Sequence, residues 1–379
     1  MRGMRVALYH EYFTHWAGSE EVARELHALF PDAPVYTLLV WEGVRRSTFL
    51  RDAEVRPSFI QRLPLAGRWY KPYAWLFPLA VEALDVRGFD LVLSSVHGWG
   101  KALVTSPGAL HVAYCHTPPR YLWDQLPAYG GRGLRRLALE ALASLLRVWD
   151  VAASRRVDHF LANSTFVAQR IRKYYGREAT VVHPPVDTDY FTPGGERGDY
   201  FLLVGRLVAY KRPDLAVRAC TALGVPLRVI GTGPELPRLR RMAGGSVHFL
   251  GWQPREVVRE HYRRCRAALL PGVEDFGLVP VEAMACGAPV VAYGGGGALD
   301  TVVPGQTGLL FPQPTVEALQ EALVRARETP FDDASIRAHA LRFGVARFRR
   351  QVAGFLRERC GVRDPRLEAL APAPVGEGA

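Results

Sequence analysis

The chain is poor in the features that would mark a membrane span, a disulfide scaffold or a zinc domain. Nowhere in its 379 residues does an apolar run reach the roughly 18 residues that a spanning helix needs. Its five cysteines, Cys115, Cys220, Cys265, Cys286 and Cys360, are odd in number, scattered, and form no C-x-x-C. That argues against a disulfide framework and a zinc site, and fits a reducing cytosol. The opening "MRGMRVALYHEYF" has no apolar h-region, so a cleaved signal peptide is not expected. No G-x-x-x-x-G-K-[ST] occurs, which disfavours a P-loop NTPase, and "GTGPE" (231–235) lacks the third glycine of a dinucleotide fingerprint. No strand end carries a D-x-D-like triad; "DTD" (187–189) lies beside a linker-like stretch.

What is present is a globular composition, 49% hydrophobic, with a formal charge of +11. A basic balance suggests an anionic partner: nucleic acid, a membrane surface or a phosphorylated substrate. Nucleic acid is disfavoured, because aromatics and basic clusters are not interleaved in a compact module. Short apolar runs alternate with helical patterns in both halves. "MRVALYHEYF" (4–13), "FDLVLSSV" (89–96), "ALHVAYCHT" (109–117) and "VDHFLANS" (157–164) read as strands of a first half. "YFLLVG" (200–205), "PLRVIG" (226–231), "VHFLG", "AALLPG", "PVVAYG" and "TGLLF" read as strands of a second. Such alternation means an α/β fold of two parallel-sheet, Rossmann-like domains. The predicted divisions are 1–190, a Gly/Pro-rich linker at 191–199, 200–340, a basic helical stretch at 341–361, and a disordered tail at 362–379. Two such domains would form a cleft at the carboxyl ends of their strands, where ligands bind in open α/β sheets.

Three motifs fall at strand ends. "GRLVAYKRPD" (205–214) puts Arg206 and Lys211 in a loop between strand and helix. A guanidinium forks onto phosphate oxygens and an ammonium serves as a point charge. Gly231 and Gly233 of "GTGPE" would let backbone approach a flat ligand such as a nucleobase. In "PGVEDFGLVPVEAMACG" (271–287), Glu274 falls in a loop and Glu282 inside the following helix. The pair could be an acid/base couple, two grips on one ligand, or ordinary helix-surface charges. Gly277 just before the helix exposes N–H groups suited to an anion. A carboxylate beside an anion site is suited to accept hydrogen bonds from hydroxyls, which a sugar supplies in pairs.

"GRLVAYKR", "GTGPE", "FLGW", "EDFGLVPVEAMACGAPVVAY" and "GQTGLLF" resemble the C-terminal domain of the retaining glycosyltransferases of family 4, which have the GT-B fold. Across the first half, "AYCHTPPRYLWD" (113–124) resembles a segment of the mannosyltransferase-like members. "AGSEEVA" (17–23) departs from the family's more common two-glycine loop. The resemblance implies two domains facing each other across a cleft, with a last helix crossing back to the N-terminal domain. It implies a nucleotide diphosphate sugar as donor. Arg206 and Lys211 would hold its diphosphate, Glu274 the sugar hydroxyls and Glu282 the ribose. Gly277, with Phe276 and Leu278, would offer backbone to sugar or phosphate. Gly231 and Gly233 would lie near the base, Gly18 near the donor, and His116 would face the donor sugar. Two fixed cations and a helix N-terminus can meet leaving-group charge, so neither a metal nor another cofactor is expected.

The "HTPPRYLWD" segment leans the donor toward GDP-mannose, with a UDP-sugar as runner-up. The acceptor would be a glycan or lipid-linked glycan. Two segments, "FIQRLPLAGRWYKPYAWLFPLA" (59–80) and "GLRRLALEALASLLRVWDVAASRR" (133–156), mix aromatic or aliphatic residues with cations. That composition suits the headgroup region of an anionic membrane, though packing on the first sheet would explain the second segment equally well. The expected location is cytoplasmic, peripheral on the inner leaflet. A non-catalytic scaffold of the same fold is disfavoured by the intact Arg206, Lys211, Glu274 and Glu282.

Overall fold

The computed structural model describes residues 4–124 and 134–370. The chain divides into two compact units, residues 1–183 with 348–379, and residues 184–347.

The first unit is built on a sheet of seven strands in the order β3-β2-β1-β4-β5-β6-β7. They are β1 (Val6–Phe13), β2 (Val35–Val40), β3 (Val55–Pro57), β4 (Leu91–Val96), β5 (Leu110–Cys115), β6 (His159–Ala162) and β7 (Ala179–Val181). All pairings are parallel. Because helices cover both faces, the strands read as continuous apolar runs rather than alternating ones. Alternate residues of β1 enter different cores: Ala7 and Tyr9 one, Val6 and Leu8 the other. The helix Val345–Glu358 supplies the second of these cores with Phe348, Val352, Phe355 and Leu356. That one-sided helical spacing makes an apolar stripe, and each such side chain contributes about 2 kcal/mol when fully buried.

The second unit has six strands in the order β10-β9-β8-β11-β12-β13: β8 (Phe201–Val204), β9 (Leu227–Ile230), β10 (Val247–Gly251), β11 (Ala267–Leu270), β12 (Val290–Tyr293) and β13 (Gly308–Phe311). These too are all parallel, with apolar clusters on both faces.

Four stretches differ from the sequence reading. Residues 184–190 belong to the second unit, not the first. The reason is burial: Val186 and Phe191 lie in a core of the second unit, and Arg337 donates to the carbonyls of Phe191 and Thr188. The stretch 191–199 is pinned rather than a free linker. Arg197 pairs with Asp333 at 2.6 Å, and Asp199 pairs with Arg266 at 2.7 Å and Arg327 at 2.8 Å. Residues 341–347 also stay with the second unit, whose core takes Phe343. The expected disordered tail is ordered as far as residue 370: Val362 and Leu367 are buried in the first unit, and Asp364 caps the short helix Pro365–Glu368. Residues 371–379 lie outside the described residues.

Candidate functional site

Most site residues of the sequence reading sit at or just beyond the carboxyl end of a strand, in one unit or the other, while Gly18 opens the helix Gly18–Leu29 and Leu278 and Glu282 lie within the helix Leu278–Ala285. In the second unit, β8 ends in the loop that holds Arg206 and Lys211. Arg206 is exposed and Lys211 is half-buried. The loop leads through Arg212, a non-glycine residue at φ 51°, into the helix Pro213–Leu223. A bulky residue in the left-handed region costs of order 1 kcal/mol and is retained where the surroundings over-determine it. Here the Arg212 guanidinium is held by both carboxylate oxygens of Asp214, at 3.1 and 3.3 Å.

The loop after β11 brings Glu274 against the Lys211 ammonium, Nζ to Oε1 at 2.8 Å. The sequence reading gave these residues to different parts of a ligand, but the structure joins them directly. Gly277, at φ 86°, precedes the eight-residue helix Leu278–Ala285. Glu282 lies on that helix, and its carboxylate accepts from Tyr262 Oη at 3.0 Å. Tyr262 is fully buried. Burial, and next the Glu282 charge, push its hydroxyl well above the ordinary phenol range, so it remains a donor. Tyr262 was not foreseen; it orients Glu282.

Phe276, named with the donor set, sends its ring into the core against Phe343 at 5.8 Å. Only its main chain can meet a ligand. Leu278 is also packed partly against that core. Gly231 and Gly233 also have a packing role that the sequence reading did not foresee. A Cβ at Gly231 would fall on the Gly205 carbonyl, and one at Gly233 on the Leu207 carbonyl. The space these glycines leave is therefore filled by the loop after β8, which is tied on by Leu207 N–H to Thr232 O at 2.8 Å. The glycine run after β12 does the same on the other side. A Cβ at Gly296 would strike Glu274, one at Gly297 would strike Phe276, and Gly297 N–H donates to Glu274 O at 2.9 Å. That run, "GGGG" (294–297), is a sequence signal the reading passed over.

In the first unit, three neighbouring strands, β1, β4 and β5, bring polar groups together at their carboxyl ends. Glu11, on β1, is 1% exposed. One of its oxygens, Oε1, accepts from the backbone N–H groups of His97, Gly98, Trp99 and Gly100 at 3.2, 2.7, 2.5 and 3.2 Å. Successive N–H groups curled this way form an anion nest, and the chain fills it with its own carboxylate. The loop so fixed stacks His97 on His116, with centroids 4.6 Å apart at 23°. His116 directly follows β5 and is 8% exposed. Its Nε2 lies 2.8 Å from Ser95 Oγ, which lies 3.0 Å from His10 Nδ1; His10 Nε2 faces Glu20 Oε1 at 3.6 Å. Burial, then the neighbouring His97 and His10, hold the His116 imidazole well below its ordinary range and therefore neutral. Burial alone would raise the Glu20 carboxyl, yet the facing His10, with His15 and Ser19, brings it to about 2.

Gly18 is the first residue of the helix Gly18–Leu29. Alanine at its N-cap has no acceptor, so half of a capping box forms: Glu20 Oε2 takes the Ala17 N–H at 3.0 Å. The sequence reading brought forward His116 and Gly18 here, and missed His10, Glu11, Glu20, Ser95 and His97.

Two doubly covered parallel sheets, each with loops and helix N-termini at its strand carboxyl ends, define the class of Rossmann-like two-domain α/β proteins. Solved structures agree on the fold. Sucrose-phosphate synthase from Thermosynechococcus elongatus matches at TM-score 0.69 and 19% identity, covering 94% of this chain and 99% of that one. HepE of Anabaena in complex with UDP matches at TM-score 0.67 and 19% identity, covering 93% and 99%. The glycosyltransferase family 4 model matches residues 16–190, and the glycosyl transferases group 1 model matches residues 192–340. The chain belongs to glycosyltransferase family 4. Among curated relatives, the D-inositol 3-phosphate glycosyltransferase of Geodermatophilus obscurus is 37% identical over 187 residues, 40% of this chain and 42% of that protein. The GDP-mannose-dependent alpha-(1-6)-phosphatidylinositol monomannoside mannosyltransferase of Mycolicibacterium smegmatis is 34% identical over 207 residues, 45% and 54%. The chain thus spans about half the length of the curated relatives it matches.

Proposed function

We propose that the chain is a retaining glycosyltransferase. It would move a hexose, mannose from GDP-mannose in the first instance, to a glycan or lipid-linked glycan of cell-surface polysaccharide or glycolipid synthesis. The observation that carries this reading is the Lys211–Glu274 contact of 2.8 Å beside exposed Arg206 and the Gly277 helix start. A cation and a carboxylate held together can serve the two ends of a glycosyl phosphate: the ammonium takes phosphate oxygens and the carboxylate accepts from sugar hydroxyls. Glu282, steadied by Tyr262, accepts from the ribose. As the nucleoside diphosphate departs, its charge is met by Arg206, Lys211 and the first N–H groups of the helix. These groups supply the charge stabilisation a divalent ion would otherwise give, so the reaction is proposed to run without a metal. Retention follows from the family resemblance.

A lipid-linked acceptor is supported by the outer surface of the first unit. Trp69 and Trp75 are 63% and 70% exposed. On the helix Leu134–Ser154, Leu137, Leu145 and Val148 are exposed at helical spacing, so the helix displays this stripe rather than packing it. Trp149 of this helix donates from Nε1 to Glu82, two residues beyond the first segment, at 3.4 Å. An exposed stripe of this kind, with Arg136 and Arg147 nearby, suits the plane of an anionic inner leaflet.

The test is thermal shift in chelator against GDP, GDP-mannose, UDP and UDP-glucose. The expected result is stabilisation by the GDP pair, of about 2.7 kcal/mol at a hundredfold excess over Kd. Stabilisation by the UDP pair alone would replace the donor with a UDP-sugar. No response to any of the four would overturn the transferase reading.

A further inference from the structure

We propose that Glu20, His10 and Ser95 form a positioning relay that dictates which ring nitrogen of His116 carries the proton. The inference rests on the reading that His116 serves the sugar site, and goes beyond it by naming three residues that act through His116.

The argument is one of proton counting. Glu20, His10 and Ser95 are 1%, 1% and 0% exposed, so solvent does not supply alternative partners. Glu20 Oε2 accepts from Ala17 N–H and from Ser19 Oγ at 3.0 and 2.9 Å, as an ionised carboxylate does. Its other oxygen faces His10 Nε2 at 3.6 Å. An ionised carboxylate attracts an N–H and repels a lone pair, so Nε2 of His10 bears a proton, and the relay requires Nδ1 to bear the lone pair. Ser95 has one hydroxyl proton and, among the described residues, two hydrogen-bond partners, His10 Nδ1 at 3.0 Å and His116 Nε2 at 2.8 Å. It must donate to His10 Nδ1, since accepting from both rings would orphan a buried hydroxyl proton at a cost of about 1–3 kcal/mol. Its oxygen then accepts from His116 Nε2–H. His116 is left with its lone pair on Nδ1, as an acceptor for a sugar hydroxyl.

The chain is directional, so reversing its first member reverses its last. In Glu20→Gln the carboxamide oxygen keeps the Ala17 N–H and Ser19 hydroxyl, and the amide N–H group faces His10. His10 Nε2 must then accept and Nδ1 donate to Ser95. Ser95 donates to His116 Nε2, and the His116 proton moves to Nδ1. An acceptor becomes a donor although no residue touching the sugar has changed.

The experiment is long-range proton–nitrogen NMR on the full chain with labelled histidine, the His116 signals being those lost in His116→Gln. The native protein is expected to show His116 with pyrrole-like Nε2 and pyridine-like Nδ1, and the two signals are expected to exchange identity in Glu20→Gln. In Glu20→Gln/Ser95→Ala the His10 signals still exchange while those of His116 no longer follow. A native His116 protonated at Nδ1 overturns the proposal even if no variant folds, and so does a His116 unaffected by Glu20→Gln. These readouts need no substrate. If the signals exchange but sugar transfer by Glu20→Gln keeps its native kcat/KM, rather than falling about tenfold, the relay stands and the assignment of His116 to the sugar is what fails.

Discussion

The two units assemble polar groups at the same place, the carboxyl ends of a parallel sheet, by opposite means. The second unit uses exposed or half-buried charges on short loops, and locks those loops backbone against backbone through Gly231, Gly233, Gly296 and Gly297. The first buries its polar groups almost completely and joins them side chain to side chain across β1, β4 and β5. The difference shows two routes to a rigid site. Loops without Cβ atoms hold their shape by close approach, and their charges stay available to solvent and ligand. Buried imidazoles hold each other, but only while they stay neutral.

Acid should therefore break the symmetry between the units, and this is the largest effect expected. His97 and His116 are held below the ordinary 6.5 chiefly by burial, and His111 at about 4 by burial. A depressed imidazole stabilises the fold above 6.5 and withdraws that stability as pH falls toward its folded value, because the unfolded chain binds the extra proton. The loss approaches ~1.4 kcal/mol per pH unit for each ring. In the second unit His261 and His339 are lowered as well, but both are only about half-buried. Hydrogen exchange at pH 7 and pH 5 should show β4 and β5 losing protection well before β8 and β11. Equal loss in both units would refute the contrast.

The second test is chemical. Lys211→Ala should lower kcat by about 10²–10³-fold, the usual cost of removing one charge-stabilising donor, while far-ultraviolet circular dichroism and melting temperature stay near native. A drop confined to KM would mean that the ammonium binds donor without stabilising the leaving group. The smallest effect concerns the outer face of the first unit. Leu145→Glu with Val148→Glu should reduce sedimentation with anionic liposomes by roughly tenfold, about 1.4 kcal/mol, because side chains at the interface are only partly withdrawn from water. Undiminished binding would remove the membrane from the proposal.

This contrast also explains what was legible in the sequence. The sites of the second unit are local: Arg206 and Lys211 share one loop, and Glu274, Gly277 and Glu282 share one loop and helix. Strand-loop-helix grammar is enough to find them. The first unit's cluster joins residues 85 positions apart, as His10 and Ser95 are, and strand order must be known before they meet. One clue was present, since "YHEYF" carries His10 and Glu11 inside an otherwise apolar strand, where an unpaired charge would be costly. The strand "VYTLLV" (35–40) also goes unnamed in the sequence reading, because its apolar run has no motif beside it. The tail was misread for the opposite reason: its proline-rich composition outweighed Val362 and Leu367, which the core takes.

The interlocked glycines of the second unit separate frame from fittings. Carbonyls press where Cβ atoms would be, so the loop backbones are held by contacts that involve no side chain. The outward side chains on those loops can then be exchanged without shifting the frame. On the proposed function, donor preference is then open to change by single substitutions at such positions, while the glycines stay as they are.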